Sequence, residues 1–415
     1  MKHLAFCLPL IASYALSAYS QADTISLSQA IDLARKNNLS MKIAETGIKQ
    51  SESRFHEATT ARYPALFFRS HLLYTPEDSY NIAITNGGEY GVQLSTALPL
   101  YDGGVRSAQI DQSSNAIERS QINLQKSGIE IAFAVRTQYY ETLRAEEELA
   151  IRRESAVRLE DYRAFLNQLR LGGGATQGDL LKTQVDLNNA IIAADAARQS
   201  VEKAKLLLVN ILGNPLDQAI EVAPEAGADS SAIPSLTVEE NPEYQLLDRD
   251  RKSADYSITI AKGERLPTLT LGGDLGALGV HPHEFRDDLG YSVFLSLDLP
   301  IFSWGAISDR IEQRMFDRDQ LDAQLLLQRR GLETEWRNTL GDVELARKSL
   351  VSYRANIAEA EKNYLSAKSR FAGGSGSNLE VLDSQRLLEE VKLNFNFTLF
   401  QLRSSLAGLL KLSGK

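Results

Sequence analysis

The run from Ala306 to Phe371 constrains this chain more than any other stretch. Its apolar residues recur at Trp336, Leu340, Val343, Ala346, Leu350, Tyr353, Ile357, Ala360, Tyr364, Ala367 and Phe371, in steps of three and four. That spacing is a coiled-coil seam, which needs a second helix to cover it. At about 1.5 Å per residue the run makes a rod on the order of 100 Å. Helices in globular domains average only about three turns, so an ordinary globular core has no use for it. The competing reading is a helical bundle in which an unseen break divides the rod.

The rod ends in SRFAGGSGSNLEVLDSQ, from Ser369 to Gln385. Gly373, Gly374 and Gly376 stop it, because glycine accepts the left-handed geometry of a helix end, and Asn378 is placed to cap a second helix. Beyond the turn Val381, Leu388, Val391, Phe395, Leu399, Leu402, Leu406 and Leu409 keep a similar step. The two arms are therefore expected to lie antiparallel as a helical hairpin.

Composition narrows the class. With 43% hydrophobic residues and a net charge of -9, the chain is structured and lacks the basic patch of a nucleic-acid binder. Residues 1–22 read as a secretory signal peptide: Lys2 and His3, an apolar run from Leu4 to Leu16, then small residues including Ser20 and Ala22 at cleavage spacing. Cys7, the only cysteine, falls inside that leader, which leaves the mature chain without a thiol and argues against a lipid-modified first residue. No later stretch approaches the roughly 20 apolar residues of a membrane helix, so any membrane crossing must use strands.

In chain order, two amphipathic helices are predicted from Asp23 to about Asn38 and on to about Arg62, where Pro64 intervenes. Ala65–Tyr74 and Glu89–Leu98 then switch to a period near two, with Tyr90, Val92, Leu94, Thr96 and Leu98 on one face, joined by the polar loop Thr75–Gly88. Strands of about ten residues suit a tilted membrane-spanning β-strand. After LPLYDGG a second rod runs from about Val105 to Leu171, breaks at RLGGGATQGDLLKTQ, and a partner helix returns to about Leu212. Residues 214–240 hold Pro215, Pro224 and Pro234 and read as a surface connector.

The pattern then repeats. NNLS at Asn37 is echoed by ENPE at Glu240, ARYPAL by ERLPTL at Glu264, LPLYDGG by LPIFSWG at Leu299, and the Gly172 turn by the Gly373 turn, all at an offset of about two hundred residues. The predicted domains are thus a leader at 1–22, a first structural repeat at 23–213, the connector at 214–240 and a second repeat at 241–412. The second copy supplies strands at Thr268–Gly279 and Leu289–Leu299.

Four strands cannot close a barrel in lipid, because the smallest membrane barrels use about eight and an open edge leaves backbone groups unpaired. Several chains must pool their strands, and periodicity alone does not choose between a dimer of eight and a trimer of twelve. Tyr90 and Tyr291 near the start of second strands, and Tyr101, Phe302 and Trp304 where strand passes to rod, fit an aromatic belt at the membrane boundary. Core packing is the rival explanation for them.

From SLSQAIDLARKNN at Ser26, through both LP-aromatic junctions and both glycine turns, the chain resembles the TolC-like outer-membrane efflux proteins over essentially the whole mature sequence. The resemblance implies a mainly α-helical protein with membrane β-structure. Its long antiparallel coiled-coil hairpins would form a tunnel into the periplasm, and its four strands would join a shared twelve-stranded barrel of a homotrimer. It also implies as partners a periplasmic adaptor protein, an inner-membrane transporter and outer-membrane lipid. Glu380 and Asp383 match the carboxylates that narrow the periplasmic entrance in that family. Three apart on one helical face, they would favour cations at a three-fold axis, although acids are also preferred near any helix N-terminus. The family's entrance can carry a basic residue in this turn, and Gly376 stands there instead. Gly172, Gly173, Thr176, Leu180 and Gly373, Gly374, Ser377, Val381 match the family's adaptor-docking tips.

No catalytic constellation stands out. His281 and His283 sit in a predicted outer loop without a further clear ligand, and the glycine runs lack the lysine and hydroxyl of a phosphate loop. The expected activity is passive conduction through the outer membrane, with neither cofactor nor metal. A periplasmic coiled-coil scaffold or adaptor without a pore is the alternative, and an exported enzyme a distant third.

Overall fold

A computed structural model of the chain describes residues 23–74, 88–224, 232–279 and 286–415. The expected leader, residues 75–87 of the polar loop, residues 225–231 of the connector, and His281 and His283 lie outside the described residues.

The elements run β1 (Asp23–Ile25), α1 (Leu27–Asn37), α2 (Leu39–Thr60), β2 (Ala65–Tyr74), β3 (Gly88–Tyr101), α3 (Val105–Leu171), α4 (Gln177–Leu212), β4 (Ile220–Val222), α5 (Pro242–Gly263), β5 (Thr268–Gly279), β6 (Leu289–Asp298), α6 (Ala306–Ala372) and α7 (Asn378–Leu412). The rods α3 and α6 are unbroken at 67 residues each, so the divided bundle is excluded. Among the described residues no helix is long and apolar enough to cross a membrane.

The chain forms two compact units, each drawing on both halves of the sequence. One comprises residues up to Ala34, Val135–Ala228 and Tyr353–Phe400; the other comprises Arg35–Ala134, Asp229–Ser352 and Gln401–Lys415. The second holds a four-stranded sheet of order β2-β3-β5-β6 in which every neighbouring pair is antiparallel. Opposed residues share a face, so Phe68, Leu94, Leu275 and Tyr291 form one row and Leu98, Leu271 and Leu295 another. All of these except the half-buried Leu98 are exposed. On the other face the rows read Phe67, Ser95, Asp274, Ser292 and Arg69, Gln93, Gly276, Gly290. β3 runs past the expected end at Leu98 to Tyr101. Pro99 has no N–H to give the ladder, and the register to β5 shifts between Pro99 and Tyr101.

In the same unit α3 packs against α5 through polar side chains. Gln112 Nε2 donates to Ser253 Oγ and Ser257 Oγ, both at 3.0 Å, Asn115 Nδ2 donates to Arg249 O at 2.8 Å, and Arg119 pairs with Asp250 at 2.6 Å. The NNLS and ENPE echoes prove to be helix caps: Asn38 accepts from Ser40 N and Asn241 from Glu243 N, each at 2.9 Å. Asn241 also donates from Nδ2 to Leu412 O at 3.1 Å, so one buried side chain closes the start of α5 and the end of α7.

In the first unit the seam residues Ala360, Tyr364, Ala367 and Phe371 of α6 and Val381, Leu382 and Leu388 of α7 join Leu159, Tyr162, Leu166, Leu187 and Ala190 of α3 and α4 in one core. The expected hairpins therefore cover each other's stripes as well as their own. The connector is less loose than its prolines suggested. Ile220 and Val222 are buried in β4, which pairs parallel with β1, and Tyr139 Oη on α3 lies 2.9 Å from Ile25 O and 2.7 Å from Ala223 O. Strands of three residues leave too little periodicity to be read in advance.

Candidate functional site

The two glycine turns are built alike. α3 ends at Leu171 with Gly173 at φ 80°, and Gly174 N donates to Leu169 O at 2.9 Å; α6 ends at Ala372 with Gly374 at φ 74°, and Ser375 N donates to Arg370 O at 2.9 Å. These left-handed residues close both rods in the manner of a Schellman cap. Gly172 and Gly373 lie beside them without a left-handed backbone.

The starts of the return helices differ. Thr176 makes a complete capping box, its Oγ1 accepting from Asp179 N at 3.1 Å while Asp179 Oδ2 accepts from Thr176 N at 3.0 Å. In the second turn the cap is Ser377, whose Oγ accepts from Glu380 N at 3.3 Å, and not Asn378 as the sequence suggested. Asn378 is the first helical residue and is buried. Its Oδ1 accepts from Tyr162 Oη at 2.9 Å and its Nδ2 donates to Asp179 O at 3.2 Å, so it binds the two turns to each other.

Glu380 pairs with Arg370 at 3.2 Å, and Asp383 pairs with Arg386. Both acids are about half exposed, with side-chain values of 51% and 54%. The turn is thus not without a basic partner: Arg370, at the end of α6, supplies one within the chain. A side chain at Gly376 would set its Cβ 3.0 Å from Phe371 N and 3.2 Å from Arg370 C, closer than backbone tolerates without shifting. Sequence reasoning missed Arg370 because it was read as the end of a rod, although its place ten residues before Glu380 is visible.

Of the eight turn residues singled out above, Gly172, Gly173, Thr176, Gly373, Gly374 and Ser377 lie on the surface. Val381 is fully buried, with Leu180 packed on its cluster. Both support the turns from inside, since their α-helical faces point to the core. Beneath the turns a polar ladder crosses from α7 to α3. Gln385 Nε2 donates to Ser155 Oγ at 3.1 Å, Ser155 donates to Glu389 at 2.5 Å, Arg158 Nε donates to Gln385 Oε1 at 3.0 Å, and Arg152 pairs with Glu389. No sequence period marks such a ladder, because its members belong to helices far apart in the chain.

At the sheet, Tyr101, Tyr291, Phe302 and Trp304 are exposed, whereas Tyr90 is buried and donates from Oη to Asp288 Oδ2 at 2.7 Å. Trp304 is the one described non-glycine residue with positive φ, at 54°, a region that costs an L-residue about 1–2 kcal/mol. Among the described residues no three histidine, cysteine or acidic side chains are grouped to hold a metal.

Comparison with known proteins agrees with this architecture. The sequence profile described as outer membrane efflux protein matches residues 30–214 and 233–415. The chain is 23% identical over 409 residues to the pyoverdine export outer membrane protein OpmQ of Pseudomonas putida, covering 92% of this chain and 84% of that one. It is 22% identical over 381 residues to the cobalt-zinc-cadmium resistance protein CzcC of Cupriavidus metallidurans, covering 90% and 86%. The crystal structure of the Campylobacter jejuni CmeC outer membrane channel superimposes with a TM-score of 0.81 at 18% identity, covering 94% of this chain and 85% of that one. The chain therefore belongs to the outer membrane efflux protein family, with the TolC-like fold that its sequence resembled, and is an outer-membrane channel for efflux or secretion that extends into the periplasm.

Proposed function

We propose that three copies of this chain pool their sheets into one twelve-stranded barrel and serve as the passive exit duct of a tripartite efflux pump or type I secretion system. The observation that carries this is the sheet β2-β3-β5-β6, apolar and exposed on one face and largely polar on the other, whose outer strands β2 and β6 each pair on one side only among the described residues. Backbone at such edges finds no water in hydrocarbon and needs further strands; the choice of three copies rests on the TolC-like resemblance. The halves 23–213 and 241–412 act as structural repeats, on the recurrence in order of caps, strand pairs, junctions and glycine turns.

In this reading the duct performs no chemical step. An inner-membrane transporter supplies energy, and a periplasmic adaptor engages the exposed residues of both turns, where small side chains let another backbone approach. Glu380 and Asp383 narrow the periplasmic entrance, with Arg370 and Arg386 partly offsetting their charge. The exposed aromatics of the sheet occupy the membrane boundary. What passes through follows from the transporter and adaptor that the duct meets.

The experiment is single-channel recording of the purified mature protein in planar bilayers. The wild type is expected to conduct with a preference for cations, and the E380A/D383A double variant to raise conductance or lower that preference. A wild type that never conducts and leaves the membrane without detergent would favour the pore-less scaffold. Unchanged conductance and selectivity in the double variant would remove the gate assignment alone.

A further inference from the structure

The face of the sheet that carries Arg69, Gln93 and Asp274 also holds two phenylalanines, and both lie on edge strands. Phe67 of β2 is 50% exposed and Phe294 of β6 is 45% exposed. A ring of that size stabilises by what it buries, and within one chain each of these is covered on one side only. The guanidinium carbon of Arg69 stands 5.6 Å from the centroid of the Phe67 ring. The Phe294 ring lies across Gly272, where an added Cβ would meet its Cζ at 2.1 Å.

The register within the chain says where these edges meet when copies join. Ala65, at the start of β2, shares a row with Ala97, Gly272 and Phe294, so the row reaches β6 four residues short of the strand end at Asp298. In a closed barrel the register staggers steadily from strand to strand, and a fourth step of the same size carries the row to about residue 70 of β2 in the next copy. Side chains must also keep their face, since a slip of one residue would turn Arg69 and His71 into lipid. That leaves Arg69 or His71 of the next copy directly opposite Phe294. In the first case Arg69 faces the ring, and in the second it is the diagonal neighbour, within reach of a long side chain.

We infer that Arg69 of one copy is held between its own Phe67 and Phe294 of the next copy on the lumen side of the seam, a site that neither edge completes alone and that decides which edges join. This rests on the shared-barrel reading above. A guanidinium against an aromatic face is favourable, and more so where the pair excludes water. Charge points the same way, because β2 carries Arg69 and His71 while β6 carries Asp298, all of them exposed. Unlike edges are complementary, whereas an edge meeting its own kind sets Arg69 against Arg69 or Asp298 against Asp298. Head-to-tail joining of unlike edges is also the arrangement that closes into a ring.

With Arg69 opposite or diagonal to Phe294, Phe68 on the lipid face stands opposite Leu295 or Leu297 of the next copy. Oxidation of cells carrying F68C/L295C or F68C/L297C should therefore give the covalent trimer in the highest yield. A trimer formed best by F68C/Y291C or F68C/V293C contradicts the register and overturns the site while leaving the shared barrel intact; no trimer in any of the four pairings sinks both. Heating the full chain in mild detergent before electrophoresis tests the contact itself. R69M and F294L are each expected to lower the temperature at which the trimer separates, and R69M/F294L to lower it by less than the two shifts added, because both remove one interaction. F294Y keeps the ring and should hold the wild-type temperature. Additive shifts in the double variant, or no shift in either single one, would overturn the inference.

Discussion

Tyr162 on α3 donates its phenolic hydrogen to Oδ1 of Asn378 at 2.9 Å, inside the core and 216 residues along the chain. The same amide donates from Nδ2 to Asp179 O at 3.2 Å. One buried asparagine thereby makes the two hairpin ends of a single chain answer to each other. Tyr162 is itself held by Phe165 at 6.1 Å and Phe371 at 6.3 Å between ring centroids.

Tyr162→Phe keeps those ring contacts and deletes the donor, leaving a buried carbonyl oxygen unsatisfied at a cost of about 1–3 kcal/mol. Hydrogen exchange should report it as faster opening of amides near Asp179 and Glu380, with the sheet unaffected. Equal protection in variant and wild type would show that the bond adds nothing.

Burial, reinforced by the negative charge of Asp179 and by Tyr364, holds the Tyr162 phenol well above its ordinary range. A proton held more tightly in the folded state stabilises fully below the unfolded value, about 10 for tyrosine, and this contribution is lost as pH rises from there toward the folded value. Thermal unfolding followed by helix circular dichroism should therefore lose stability above about pH 10, and less steeply in Y162F than in wild type.

Much of this was legible beforehand, and the exceptions have physical causes. Long uninterrupted seams gave α3 and α6 their limits to within a residue or two, because nothing local competes with a run of that length. Asn378 was misjudged as a cap because asparagine favours both a cap and a buried bridge. Only the packing of α3 beside the second turn, which supplies Tyr162, decides between them, and Ser377 was free to cap. Arg370 and Glu380 meet across a turn whose closure depends on Gly374, a geometry that periodicity does not encode.

Because Arg370 and Glu380 are both about half exposed, their pairing is worth at most about 1 kcal/mol of stability. R370Q is accordingly expected to leave unfolding unchanged and to shift the reversal potential toward stronger cation preference by releasing the Glu380 charge. An unaltered reversal potential would place Glu380 away from the conducting path.

Glycines of opposite duty should respond with opposite sign. Gly173 and Gly374 have open space around them but positive φ, so alanine at either is expected to cost about 1 kcal/mol. Gly331 lies inside α6 with nothing near it, and G331A should stabilise by about 0.5–1 kcal/mol. Denaturant midpoints in one detergent measure all three; a stabilising G374A would refute the left-handed cap.

The sharing of one barrel by several copies has a direct test, since Cys7 is the only cysteine and lies in the expected leader. Within one chain β2 and β6 are separated by β3 and β5, about 14 Å at normal strand spacing and beyond the reach of a disulfide. Phe68→Cys on β2 is paired in turn with Tyr291→Cys, Val293→Cys, Leu295→Cys and Leu297→Cys on β6, and cells are oxidised before non-reducing electrophoresis. At least one pairing should give a ladder that stops at a covalent trimer. Monomer alone in every pairing, or a ladder running on past three, would contradict a closed barrel of three chains.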